Sequence, residues 1–256
     1  MFVNFITNAA NSQLLMYPTV IISLVLPKIT GYNFHMRKIL LVVGGLLILI
    51  SSSALATQII SLPKPVYDSS ISLEKSIAHR RSERSYLESQ LSQEQLSQIL
   101  WAAEGITDQT YGFRSAPSAG ALYPLTIYVV EKDGVFRYLP DSHKLAKLFD
   151  DDKRPSLVRA SLGQVCIREA PVSLVIAANF RITQAKYGAR AFRYVCMEAG
   201  HVAENIHLQA VALGLASLAI GAFWDDVIKK DLDLPENQDP LYIIPIGYVK
   251  QWPEKK

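Results

Sequence analysis

The chain has 256 residues, half of them hydrophobic and 19% charged, with a formal net charge of +3. That length holds one sizeable core, and that composition excludes a chain that is disordered throughout. Lys28, Arg37 and Lys38, the basic residues of the first 56, account for the whole excess; the 23 basic and 23 acidic residues of the remainder cancel, which argues against a basic nucleic-acid-binding face.

Taken in chain order, residues 14–26 form an apolar run broken by Pro18. Residues 1–35 therefore read as an upstream extension from an early start, or as an extra hydrophobic segment. Met36-Arg37-Lys38 then precedes an unbroken apolar run of 12 residues, 39–50, followed by three serines and Ala54-Leu55-Ala56. A basic start, a short apolar stretch and small residues before the cut are the layout of a secretory signal peptide. Cleavage after Ala56 would export a chain starting at Thr57 to the periplasm or another extracytoplasmic space. The run is short of the ~20 apolar residues of a comfortable span, and an uncleaved membrane anchor is the alternative.

Residues 57–70 read as a linker and 71–256 as one globular domain. Residues 72–81 predict a short helix with Leu73 and Ile77 on one face. Ser92 and Gln95 can form a capping box, with Leu91 stapled on Leu96, for a helix that runs to Glu104 and stops at Gly105. Strands are expected over 125–130 and 135–139 around the tight-turn pair Asp133-Gly134. Helices are expected over 142–149 and 155–166, a buried strand over 172–178, and a long helix over 189–215. A short strand over 217–220, a helix over 224–232 and a strand over 241–249 complete the chain. Helices and strands mix without a regular βαβ rhythm, which predicts an α+β fold with a largely antiparallel sheet packed by helices. No glycine-rich dinucleotide fingerprint or phosphate-binding P-loop occurs. Cys166 and Cys196 read as buried thiols, and no Cys or His spacing suits a metal.

Five constellations carry chemistry. Arg80-Arg81-Ser82-Glu83-Arg84 places three guanidinium groups and a hydroxyl within five residues. A planar fork of donors that never loses its charge suits a phosphate monoester; a solvated basic turn is the plainer alternative. On the long helix Tyr194, Glu198, His201 and Asn205 share one face beside the apolar row Phe192, Val195, Ala199, Val202, Ile206, Ala210 and Leu213. That polar stripe reads as hydrated surface, or as lining for a cavity or a second subunit. Residues 116–124 (Ala-Pro-Ser-Ala-Gly-Ala-Leu-Tyr-Pro) are a loop of small residues that lets a flat ligand approach the backbone, or an ordinary turn. Residues 219–223 (Ala-Ile-Gly-Ala-Phe) allow the same two readings. Lys186-Tyr187-Gly188 pairs an amine with a phenol, a proton donor and acceptor if the lysine is buried, and otherwise a surface pair.

With these residues in place the chain resembles the FMN-dependent nitroreductase superfamily, and within it the SagB-type dehydrogenases that oxidise azoline rings to azoles. The resemblance rests on four motifs in order: Arg80-Arg81-Ser82-x-Arg84, residues 116–124, Lys186-Tyr187-Gly188 with Glu198-x-Gly200-His201 and Asn205, and Ile220-Gly221-Ala222-Phe223. It implies a homodimer with FMN at the interface. Arg80, Arg81, Ser82 and Arg84 would hold the phosphate and ribityl chain. Pro117, Ser118, Ala119 and Gly120 would line the flavin ring from the partner subunit, and Ile220, Gly221 and Ala222 would approach its other side. Lys250, Lys255 and Lys256 are candidates for a further phosphate contact. Lys186 and Tyr187 match the reacting pair of azole-forming relatives. The implied activity is hydride transfer between a small organic substrate and flavin N5; the alternatives are azoline oxidation on a peptide and a non-catalytic, membrane-associated flavin-binding protein. Export would make NAD(P)H an unsuitable donor, and a quinone, a carrier protein or oxygen a better acceptor.

Overall fold

The structure is a computed structural model that describes residues 57–249. The signal or anchor segment and Lys250, Lys255 and Lys256 lie outside the described residues.

In chain order the elements are β1 (Ile59–Ser61), α1 (Leu73–His79), α2 (Gln93–Glu104), β2 (Ile106–Asp108), β3 (Phe113–Arg114), β4 (Leu125–Glu131), β5 (Gly134–Leu139), β6 (Lys144–Phe149), α3 (Arg154–Ala160), α4 (Cys166–Glu169), β7 (Val172–Ala178), α5 (Phe180–Tyr187), α6 (Ala191–Ala212), β8 (Ala216–Ser217), α7 (Asp225–Asp231) and β9 (Asp239–Gly247). Seven strands form one sheet in the order β1-β6-β5-β4-β7-β9-β8, and every neighbouring pair is antiparallel. This is the α+β architecture that the sequence predicts. β2 and β3 form a separate hairpin.

Alternation along the central strands fills a layer on each side of the sheet. Ile127, Val129, Leu174, Ile176, Ile244 and Ile246 pack with Ile99 and Leu100 of α2 and with Val195, Val202 and Ile206 of α6. Tyr128, Val130, Val175, Ala177 and Ile243 pack on the other face with Leu157 of α3, Ile167 of α4 and Ile228 of α7. Full burial of each such aliphatic chain contributes about 1.5–3 kcal/mol. β7 is covered on both faces and buried at every position, so it reads as an almost continuous apolar run. The apolar face of α6 is thereby held against the sheet, and the helix becomes a rigid platform for its own polar side chains.

Helix α2 has the expected reciprocal cap: Gln95 N–H donates to Ser92 Oγ at 3.2 Å, and Ser92 N–H to Gln95 Oε1 at 2.9 Å. Elsewhere the structure corrects the sequence reading. Residues 144–149 form a strand, not a helix. Leu145 and Leu148 fit helical spacing, but the segment lies between two pairing partners, with Leu145 opposite Tyr138 and Ile60, and pairing overrides local preference. His143, at φ 50°, reverses the chain into it. The helix expected over 155–166 breaks after Ala160, because Leu162 (φ 58°) and Gly163 (φ 81°) turn left-handed before α4. The strand expected over 217–220 is β8 plus a single bridge from Ile220 to Ile243. Within residues 57–70, Ile59–Ser61 pairs along β6. Leu73 and Ile77 of α1 are exposed, and so is Phe192, expected on the core face of the long helix; it stacks on Phe180 with centroids 5.5 Å apart.

Candidate functional site

The arginine segment begins where α1 ends. Arg80 N–H closes the helix on Ser76 O at 3.0 Å. From there the chain runs beside the sheet edge: Ser82 bridges Ser217 of β8, Glu83 N–H donates to Ser217 O at 3.3 Å, and Leu87 N–H to Tyr248 O at 2.8 Å. Buried Tyr86 pins this course, its hydroxyl lying 2.7 Å from Glu83 O and 3.2 Å from Pro245 O. Arg80 Nε lies 3.8 Å from Glu204 Oε1 of α6. Arg81 donates to Arg80 O at 2.6 Å and Arg84 to Ser82 O at 3.4 Å. Among the described residues neither Arg81 nor Arg84 forms an ion pair with a carboxylate, and both are exposed. The segment thus presents two uncompensated guanidiniums beside the exposed Ser82.

Beneath it, His207 of α6 holds Ser217 Oγ at 2.7 Å inside the core. Burial, with help from the Arg80 charge, pushes this imidazole down to about 4. Its folded value is depressed below the ordinary 6.5, so the unfolded chain takes up a proton first as pH falls. The stability that neutral His207 contributes is present above pH 6.5 and lost between 6.5 and 4. Relative to His207→Gln, the wild type should lose about 2–3 kcal/mol of its advantage between pH 7.5 and 4.5. Urea midpoints of the two proteins at both pH values measure it; a constant difference would contradict it.

Ile220 continues from the same edge. Its N–H and C=O both bond Ile243 at 2.9 Å, which leaves Gly221 and Ala222 exposed beyond it. A side chain built on Gly221 would meet nothing closer than a ring carbon of Tyr242 at 3.8 Å, so the backbone is open to a ligand.

A second group forms around residues 117–123. Ser118 Oγ donates to Glu198 Oε2 of α6 at 2.6 Å and accepts Tyr123 N–H at 2.9 Å. Between them Gly120, Ala121 and Tyr123 have φ of 65°, 53° and 47°. Alanine and tyrosine rarely take that left-handed region, and holding them there costs energy that the surroundings supply. Gly120 is also a contact point: a Cβ there would lie 2.7 Å from Tyr187 Oη and 2.8 Å from Lys186 Nζ. Lys186 and Tyr187 end α5, and a 3-10 turn, Gly188–Arg190, separates them from α6. The Tyr187 ring meets Tyr194 edge-on at 5.2 Å. Lys186 is exposed in the single chain and Tyr187 half-buried, so burial of the amine would have to come from whatever covers this face. Pro117 is exposed, and Ser118 and Ala119 are half-buried.

The polar stripe of α6 therefore divides. Glu198 is buried, Asn205 lines a cavity of about 370 Å³ and donates to Ser115 O at 3.3 Å, and His201 is exposed. Two residues that the sequence reading passed over complete the group. Buried Glu104, the last residue of α2, pairs with Arg114 of β3 at 2.8 Å. The Arg114 guanidinium lies 4.6 Å over the Tyr123 ring. Burial pushes Glu104 up to about 7 despite that arginine, and Glu198 raises it further. Burial likewise carries Glu198 to about 7 against the pull of Ser118, Arg114 and the Ala119 N–H. The only hint of Glu104 in the sequence is a lone carboxylate closing an apolar helix.

One chain thus joins Arg80–Arg84 to Ile220–Ala222 along the β8 edge, and Ser118–Gly120 to Lys186, Tyr187 and Glu198. Among the described residues no hydrogen bond or ion pair links the two groups.

Residues 77–248 match the sequence model of the Nitroreductase family. The chain is similar to an inferred nitroreductase of Methanocaldococcus jannaschii, MJ1384, at 45% identity over 183 residues, covering 69% of this chain and 91% of that protein. Among solved structures it is similar to an inferred nitroreductase of Ralstonia eutropha JMP134, with a TM-score of 0.69, 29% identity, and coverage of 75% of this chain and 90% of that one. It is also similar to a chain of the Escherichia coli microcin synthetase McbBCD complex with truncated pro-MccB17 bound. There the TM-score is 0.59 and the identity 26%, over 74% of this chain and 78% of that one.

Proposed function

Because the chain belongs to the nitroreductase family, we propose that it is an FMN-dependent oxidoreductase that moves a hydride between a small organic substrate and flavin N5. The observation that carries the reading is the pairing of Arg81 and Arg84, without an ion-pair partner among the described residues, beside Ser82 with the open backbone of Gly221. Such a set fits a flat ring system bearing a phosphate monoester. Bound FMN would supply the two-electron chemistry. Arg80, Arg81, Ser82 and Arg84 would hold its phosphate and ribityl chain. Ile220, Gly221 and Ala222 would line one side of its site, and Pro117, Ser118, Ala119 and Gly120 the other. Lys186 Nζ and Tyr187 Oη exchange a proton with the substrate.

The reading includes a homodimer in which one subunit would supply the arginine segment and its partner the 117–120 loop. Exposed Phe192 and Met197 of α6, and Leu73 and Ile77 of α1, are large apolar side chains that a protein partner could cover. No helix among the described residues is long and apolar enough to cross a membrane. Residues 36–56 are proposed as signal peptide or anchor, which favours a quinone, a carrier protein or oxygen as electron acceptor.

The test is the absorption spectrum of purified protein and the identity of any chromophore released by heat. Flavin bands and released FMN support the reading; a colourless protein that takes up no added FMN overturns it. A second reading, azoline oxidation on a peptide, draws on the likeness to the microcin synthetase complex and on Lys186-Tyr187. Loss of two hydrogens per ring from an azoline-bearing peptide, read by mass spectrometry, would distinguish it.

A further inference from the structure

Nothing in a hydride transfer requires a buried glutamate next to a strained loop, yet Glu198 sits at 2% exposure in the middle of α6 and touches that loop. Its contact is specific. Ser118 Oγ donates to Glu198 Oε2 at 2.6 Å and, through its lone pairs, holds Tyr123 N–H at 2.9 Å. These two bonds clamp both ends of the left-handed stretch, and Gly120 lies inside it. Gly120 in turn is where Lys186 Nζ and Tyr187 Oη converge.

We propose that Glu198 is the positioning residue of this site: through Ser118 it fixes the 118–123 loop so that Gly120 seats the Lys186–Tyr187 pair. The catalytic part of the statement rests on the oxidoreductase reading above; the mechanical part does not.

The clamp is sensitive to charge. A hydrogen bond to a carboxylate is about twice as strong as one to a neutral acid, and Glu198 titrates near 7. The loop is therefore held tightly above that pH and loosely below it. The groups around Glu198 set where the change falls. Arg114 of β3 favours the charged form, and Glu104 of α2 opposes it. Tyr194 and His201 flank it on α6 at four and three residues' distance, where a helix places its neighbours. Tyr123, Lys186 and Tyr187 reach the same loop from their own elements. Glutamine at 198 keeps the shape and a neutral acceptor and removes the titration.

The experiment is hydrogen exchange of the loop peptide 115–125 in the full chain as purified, at pH 6 and pH 8, corrected for intrinsic exchange and compared with α6 as an internal reference. In the wild type the loop should be about fivefold better protected at pH 8 than at pH 6. Glu198→Gln should show the lower protection at both pH values, with α6 unchanged. Ser118→Ala, which keeps the carboxylate and the Ala119 N–H contact and removes the hydroxyl, should show a weaker pH dependence than the wild type. Wild-type protection that does not change with pH, or a pH dependence that survives in Glu198→Gln, overturns the proposal. Because this readout uses no substrate, its failure leaves the flavin reading standing. A colourless protein with the expected exchange pattern would retain the clamp and remove the chemistry. In the flavin-loaded enzyme, the matching result is a kcat that falls below pH 7 in the wild type, stays flat in Glu198→Gln, and leaves KM unmoved in both.

Discussion

Replacing Arg81 and Arg84 together by alanine is expected to yield a colourless protein whose affinity for FMN has fallen by about 10²–10⁴-fold. Each charge-assisted bond to a phosphate is worth roughly tenfold to a hundredfold in affinity. Among the described residues these two side chains hydrogen-bond only to backbone carbonyls of their own segment, Arg80 O and Ser82 O, so their loss should cost the fold little. The urea midpoint should match that of flavin-free wild type, and this separates lost binding from lost folding. Arg80 is a poorer choice, because its backbone closes α1, its side chain nears Glu204 and its charge acts on His207. The double change to lysine discriminates further: it keeps the charge and loses the planar fork, so affinity should fall less than with alanine without returning to the wild-type value. A yellow double-alanine variant would move the phosphate site elsewhere, with the lysines of residues 250–256 as the next candidates.

The arginine segment was legible in the sequence because it is contiguous. Three arginines and a serine within five residues stand out as a candidate anion site wherever the segment lies, and the structure adds the rail of Ser217, Pro245 and Tyr248 along which it runs. The capping box of α2 and the buried run of β7 were legible for a similar reason, being local patterns with one physical meaning. The second group was legible only in pieces. Gly120 and Lys186-Tyr187 each stood out as short motifs, but nothing local says that the lysine and phenol heads meet on that glycine. Glu198 showed as one member of a polar stripe, and the groups that offset its burial, Ser118 and Arg114, come from other parts of the chain. Arg114 gave no signal and Glu104 only that of a carboxylate at a helix end, because a salt bridge between a helix end and a short hairpin strand is a product of the tertiary fold. The misread β6 has the same cause. Its leucines satisfy a helical period, and only the neighbouring strands decide otherwise.

The largest effect on turnover is expected at Lys186. Changing it to alanine should leave flavin content unchanged and lower turnover by about 10²–10⁴-fold, the usual contribution of a positioned acid or base. Lys186 makes no hydrogen bond or ion pair to the arginine segment among the described residues, so the proposed phosphate contacts stay intact without it. Its amine is exposed in the single chain, and removing it opens no cavity in the core. Tyr187→Phe refines the assignment. Phenylalanine keeps the edge-on contact with Tyr194 and loses only the hydroxyl that faces Gly120. If the phenol carries the proton, this single oxygen should cost nearly as much as the whole lysine, and the double variant little more than either, because groups that act as a unit are not additive. If the lysine carries it alone, Tyr187→Phe should cost less than tenfold. Turnover undiminished in Lys186→Ala would leave the pair as a structural prop for the loop and place the proton transfer with substrate or solvent.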